Sequence, residues 1–270
     1  MTAATLTAAP ADRGGLRATG LLRSEWIKLR SVRSTVWAYA VTIVGGIGLS
    51  VMLGLTFTGE GMPAAEQVDY AVQAATMGLI LAQLSVAVLG VLVISGEYTT
   101  GMIRSTLTAV PHRYPALLAK AAVFAAVTFV VGLVITFGGY FVSSPLMAAR
   151  GAESSLTDPG VVQALVGGAL YLSLVGILSL GIGTIVRSGA GGIAAAIGLL
   201  MLAPIVFALI PAEWAADIAR YLPTAVGGAM YRIHIEGGSA MDPVQGSLFL
   251  LAWVVVALGT GAALLTRRDA

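Results

Sequence analysis

Cysteine is absent from the 270 residues, which excludes a disulfide, a thiolate metal site and a cysteine nucleophile. Charge is scarce. Asp, Glu, Lys and Arg make up 10% of the chain, against about 25% in an ordinary soluble domain, too few to cover a surface in water. No G-x-x-x-x-G-K-[ST] occurs, so the chain holds no P-loop, and any ATP it depends on is bound by another polypeptide. H-E-x-x-H, G-x-S-x-G and a G-x-G-x-x-G following a strand are missing as well, and the acids are scattered through loops, which argues against an enzyme in its own right.

What the sequence has in abundance is oil. Hydrophobic residues are 57% of the chain and glycines number 34. Several stretches of eighteen or more residues carry no charge, enough to cross a hydrocarbon core of about 30 Å at 1.5 Å per residue. The reading is an all-α polytopic membrane protein with six spans, at 36–57, 71–95, 117–140, 162–186, 190–210 and 246–266. Residues 1–20, Ala/Thr-rich, read as a flexible tail, with span one as the insertion signal. Outer loops 58–70 and 141–161 read as connectors.

With the amino terminus inside, one face of the membrane carries twelve basic residues against four acidic ones, net +8, and the other three against nine, net −6. This Lys/Arg bias puts both termini in the cytoplasm. Basic charge lying along a membrane face meets anionic lipid, so the partner it implies is membrane lipid and not nucleic acid. His112 and His234 fall on opposite faces, which leaves no two-histidine metal site.

Before span one, "LLRSEWIKLRSVR" (21–33) places Leu21, Leu22, Trp26, Leu29 and Val32 on one arc and Arg23, Lys28 and Arg30 on the other. Glu25, Trp26, Lys28 and Arg30 thus mark an amphipathic helix in the interface plane or, alternatively, a cytoplasmic extension of span one. Between spans five and six, Trp214, Ile218 and Tyr221 recur at helical spacing, Pro223 ends that helix, and Val226 to Tyr231 forms a second short one dipping into the outer leaflet. Pro204 kinks span five, as a gate or as packing. The glycines of spans one, four and five point to close helix packing.

The one sizeable cytoplasmic loop between spans follows span two. Gly96 lets that span end, and Thr99 or Thr100 caps a short helix running to Leu107 or Thr108 before Pro111. Met102, Ile103, Thr106 and Leu107 make an apolar patch beside Arg104. Such a helix fits a shallow groove on a soluble partner, or rests on lipid headgroups with Arg104 and Arg113 on phosphates. Lys120, one turn inside span three, snorkels to the cytoplasmic face.

The run Gly96, Glu97, Tyr98, Gly101, Arg104, Leu107, Thr108, Arg113 and Lys120 resembles the loop between the second and third helices of ABC-2 type permeases, the membrane subunits of bacterial ABC exporters. The "SEWIKLRSVRSTVW" lead-in, the long outer loop and "YLPTAVGGAM" are similar to permeases of this kind from high-GC Gram-positive bacteria. The resemblance covers residue 20 onward. It implies a multi-pass protein of the bacterial plasma membrane that pairs with a second permease, often its own copy, and with two separate P-loop ATP-binding subunits. ATP and Mg would sit on those partners, and this chain would bind no cofactor. Segment 97–110 would be the coupling helix, with Glu97, Tyr98, Gly101, Met102, Arg104, Leu107 and Arg113 as its contact residues and Glu97 ion-paired to a basic residue of the amino-terminal helix. The cargo implied is a drug, a lipid-like compound or a peptide, and sodium export is also associated with the family. A membrane sensor or scaffold for an ATPase is the alternative function. A secondary carrier is a weaker one, since the spans hold no acid, Arg or His at mid-depth.

Overall fold

A computed structural model describes residues 18–57, 62–101, 113–233 and 241–267. Among the described residues there is no strand, and six helices are long and apolar enough to cross a membrane: Arg33–Thr56, Ala64–Thr99, Tyr114–Ala148, Val161–Val186, Gly189–Ala208 and Pro243–Leu265. This is the architecture of a polytopic α-helical membrane protein. Most of the tail read in residues 1–20 lies outside the described residues; Ala18 to Gly20 already belong to a helix.

That first helix, α1 (Ala18–Ser31), is separate from the first span. Val32 turns to an extended conformation, and α2 (Arg33–Thr56) starts anew. The break supports a distinct amino-terminal helix over a continuous extension. Its inward face differs from the expected arc. Glu25 is buried with Lys28 and Leu29 half-buried beside it, whereas Leu22 and Trp26 face outward.

The second span is longer than expected and made of two pieces, α3 (Ala64–Thr76) and α4 (Leu79–Thr99), so residues 64–70 are helix and not connector. The join is where the chain crosses α2 closely: a Cβ at Gly78 would stand 2.5 Å from the Gly46 carbonyl oxygen, a contact only glycine permits. Helix α5 (Arg113–Ala148) likewise runs eight residues beyond the expected end, carrying Pro145 inside its last turns.

Helix α6 (Val161–Val186) is the axis of the bundle and the most deeply buried of the six long helices. It packs against α4, α5 and α10 (Pro243–Arg267). Its glycines let those neighbours approach, as the composition predicted: a Cβ at Gly176 would press on Phe124 and Val86, and one at Gly181 on the backbone of Ala257. The expectation fails at Gly45, Gly48 and Gly198, where a methyl group would meet open space. With no water between lipid and helix, van der Waals fit of small residues is the main force holding such helices together.

Helix α7 (Gly189–Ala208) contains a π-helical segment at Gly198–Leu202 just before Pro204. The Ala203 N–H bonds the Gly198 carbonyl, five residues back, so the widened turn makes room for a proline ring that would otherwise clash with the preceding turn. Beyond it come α8 (Glu213–Ala219), α9 (Pro223–Gly228) and a 3-10 turn at Ala229–Tyr231. Pro223 therefore opens the second short helix, at a position where its missing N–H costs nothing.

Candidate functional site

Two carboxylates and two ammonium groups meet where α1, the end of α4 and the start of α5 converge. Lys120 Nζ donates to Glu25 Oε2 at 2.6 Å and to Glu97 Oε1 at 2.8 Å. Lys28 Nζ donates to Glu25 Oε1 at 2.7 Å and to the same Glu97 Oε1 at 3.0 Å. Glu25, Glu97 and Lys120 are each no more than 6% exposed, while the side chain of Lys28 is 33% exposed. The cluster is neutral in sum, which is how four charges persist at the edge of an apolar bundle.

Burial alone would drive the Lys28 ammonium toward its neutral form. The two carboxylates that accept its protons outweigh that effect and hold its pKa above the ordinary lysine value. Lys28 therefore stays charged across physiological pH.

The expected ion pair between Glu97 and a basic residue of the amino-terminal helix is present, with Lys28 as the partner. Two features were not anticipated. Lys120 does not snorkel outward; it turns into the bundle because Glu25 and Glu97 offer acceptors there. Glu25, expected only as a residue of the interfacial helix, is the second acid of the cluster. The signal for both lies in sequence: buried acids and lysines are rare unless paired, and each of these sits within a turn or two of an apolar run.

The end of α4 also differs from the expectation. The helix does not stop at Gly96 but continues through Thr99, with Gly101 in the left-handed region at φ 70° closing it. Thr99 and Thr100 donate their hydroxyl protons backward to the carbonyls of Ser95 and Gly96, so both belong to the end of this helix; the short helix expected after them lies outside the described residues. Glu97 and Tyr98 accordingly belong to the second span. Met102, Arg104 and Leu107 lie outside the described residues, and Arg113 opens α5.

Tyr98 points the other way from Glu97. Arg187, which caps α6 in the left-handed region, places its guanidinium 5.3 Å from the Tyr98 ring centroid and donates to the Leu264 carbonyl of α10 at 3.0 Å. Two adjacent residues thus join four other elements to the end of α4: Glu97 reaches α1 and α5, and Tyr98 reaches the α6–α7 turn and, through Arg187, α10. Segment 101–112 leaves from this junction and returns at Arg113, seven residues before Lys120.

Among the described residues no group of three His, Cys, Asp or Glu side chains is placed to hold a metal ion. Of the expected interfacial residues, Glu25 and Lys28 join the cluster, whereas Trp26 and Arg30 stay on the exposed side of α1. Compared with known proteins, the chain matches no family model and no curated protein.

Proposed function

We propose that this chain is the permease subunit of an ATP-driven exporter in a bacterial plasma membrane, moving a hydrophobic or amphiphilic compound outward with energy from a separate ATPase. The observation that carries the reading is the junction at Glu97 and Tyr98. Both flanks of segment 101–112 are tied at one point to α1, α5, α6 and α10, so a push on that segment reaches the bundle through charge pairs and one stacked ring. A junction of this kind, joining one segment to four elements, suits mechanical input from a soluble partner.

In this reading two P-loop subunits, loaded with ATP and Mg, seat the 97–110 region of two permeases, the second being a copy of this one. Glu97 and Tyr98 act from within the span, as anchors of the coupling element, while Met102, Arg104 and Leu107 are its contact residues. Both termini face the cytoplasm, in keeping with the arginine bias of that face.

The test is reconstitution with the cognate ATPase. The permease should raise ATP hydrolysis in response to cargo, and Arg104→Glu or Leu107→Asp should abolish both assembly and stimulation. Undisturbed assembly and hydrolysis in both variants would overturn the coupling role. Transport that survives removal of ATP would favour a carrier instead.

A further inference from the structure

A cavity of about 690 Å³ opens beside the charge cluster. At one end stand Glu25, Lys28, Glu97 and Lys120, and Ser31, Ser34 and Thr35 of the α1–α2 junction lie beside them. Away from that end its wall is apolar, built by Leu84, Val88, Leu89, Leu92 and Val93 of α4. Leu92 is 45% exposed, so the cavity opens through the side of the bundle, where lipid would be.

The polarity and the length both match one leaflet of a membrane. From Leu84 to Glu97 the wall runs thirteen residues, about 20 Å at 1.5 Å per residue. Half of a bilayer that measures about 40–45 Å with its headgroups is about the same. Charge lies at the end where headgroups sit and hydrocarbon toward the midplane.

The sign of the headgroup follows from what faces the opening. Helix α2 starts here without a side-chain cap on its N-terminus, which leaves the positive end of its dipole available. Lys28 is the one exposed charge of the cluster and, with two protons donated to carboxylates, has a third free. Thr35 lines the cavity and is 8% exposed, a hydroxyl beside the ammonium group. Arg30 and Arg33 lie on the same junction with exposed side chains. These are the elements of a phosphate site.

We infer that this cavity holds one anionic phospholipid of the surrounding bilayer, its phosphate at Lys28, Ser34 and Thr35 and an acyl chain along α4. The lipid is a resident ligand wedged between the charge cluster and α4. The inference rests on the membrane reading alone, so a chain that keeps the lipid yet captures no ATPase would weaken only the exporter proposal.

The purified full-length chain in detergent, incubated with phosphatidylglycerol or with phosphatidylcholine and weighed by native mass spectrometry, tests it. One phosphatidylglycerol per chain should be retained, in preference to phosphatidylcholine by about fivefold or more, the scale one lysine gives an anionic headgroup. Lys28→Gln and Thr35→Val should bring that preference toward parity. Val88→Trp should fill the cavity and abolish retention at an unchanged melting temperature, and Leu92→Trp at the exposed mouth carries the same expectation if the first variant does not fold. Equal retention of both lipids, or retention undiminished in the folded tryptophan variants, would overturn the site. So would a Val88→Trp chain that turns from dimer to monomer with its lipid count unchanged, since the face would then belong to a second copy.

Discussion

The two ends of the bundle are closed by different physics. At the α4 end two ammonium groups share three carboxylate oxygens, and both lysines converge on Glu97 Oε1. At the opposite end the segment between α7 and α10 is pressed onto its neighbours by bare backbone. A Cβ at Gly167 would fall 1.9 Å from the Met230 carbonyl oxygen, one at Gly227 2.1 Å from the Tyr171 ring, and one at Gly246 2.4 Å from the Val226 carbonyl oxygen. Ion pairs can exchange partners as helices shift by an ångström or two, because a second acceptor is always in reach. Close-packed backbone has one arrangement and resists sliding. The contrast teaches where this molecule can move: the charged end is the adjustable one and the glycine end is the fixed frame.

The largest test of that contrast is Lys120→Met, which leaves Glu25 and Glu97 buried with Lys28 as their single cation. Removing one partner from a buried charge cluster costs about 3–5 kcal/mol, seen as a lowered melting temperature in detergent, and Lys120→Arg should recover part of it. If Lys120→Met melts like the parent, the cluster does not hold the end together. Next in size, Gly167→Ala at the frame should cost about 1–3 kcal/mol by overpacking against Met230. Gly48→Ala, where a methyl meets open space, should stay within about 0.5 kcal/mol. Equal losses at the two glycines would remove the distinction between packed and free positions.

Smaller effects sharpen the picture at the charged end. Lys28→Met should cost no more than about 1 kcal/mol, as expected for a half-exposed pair, so the two lysines of one cluster should differ severalfold in their effect. The pH dependence has a definite sign. The Lys28 pKa is raised on folding, so its contribution is complete below the ordinary lysine pKa of about 10.4 and is lost as pH rises through the higher folded value. The parent should melt lower above that range relative to Lys28→Met, and an identical alkaline loss in both would contradict the pairing. Last, Tyr39 carries a buried hydroxyl with no partner among the described residues. Tyr39→Phe should therefore raise stability by about 1 kcal/mol.

Much of the fold was legible because apolar runs of span length leave helix as the only economical way to satisfy backbone polar groups in lipid. The limits of those helices were less legible. Span two was expected to stop at Gly96 because glycine is a weak helix former, but the helix runs on through Thr99, with the Thr99 and Thr100 hydroxyls folded back on the Gly96 carbonyl and Gly101 closing the end. Residues 64–70 and 141–148 looked like polar connectors because they are less apolar than the spans they extend, yet packing of α3 on α5 keeps them helical. In the candidate site, Glu97 and a basic partner on α1 were foreseeable as lone charges needing neutralisation. The role of Lys120 was not, since snorkelling and inward pairing are equally open to a lysine one turn inside a span.

By itself the sequence determined that this chain forms membrane-length helices, that it has no phosphate-binding loop, and that its few charges stand at the ends of apolar runs. Those are properties of composition and of short windows, and local physics is enough to read them. Which charges meet was decided only by the tertiary structure. Glu25 and Lys120 are 95 residues apart, Glu97 and Lys120 are 23, and no periodicity within a helix says which neighbour that helix will take. Close approaches such as Gly78 on Gly46 depend on which helices are neighbours, and so do the ion pairs.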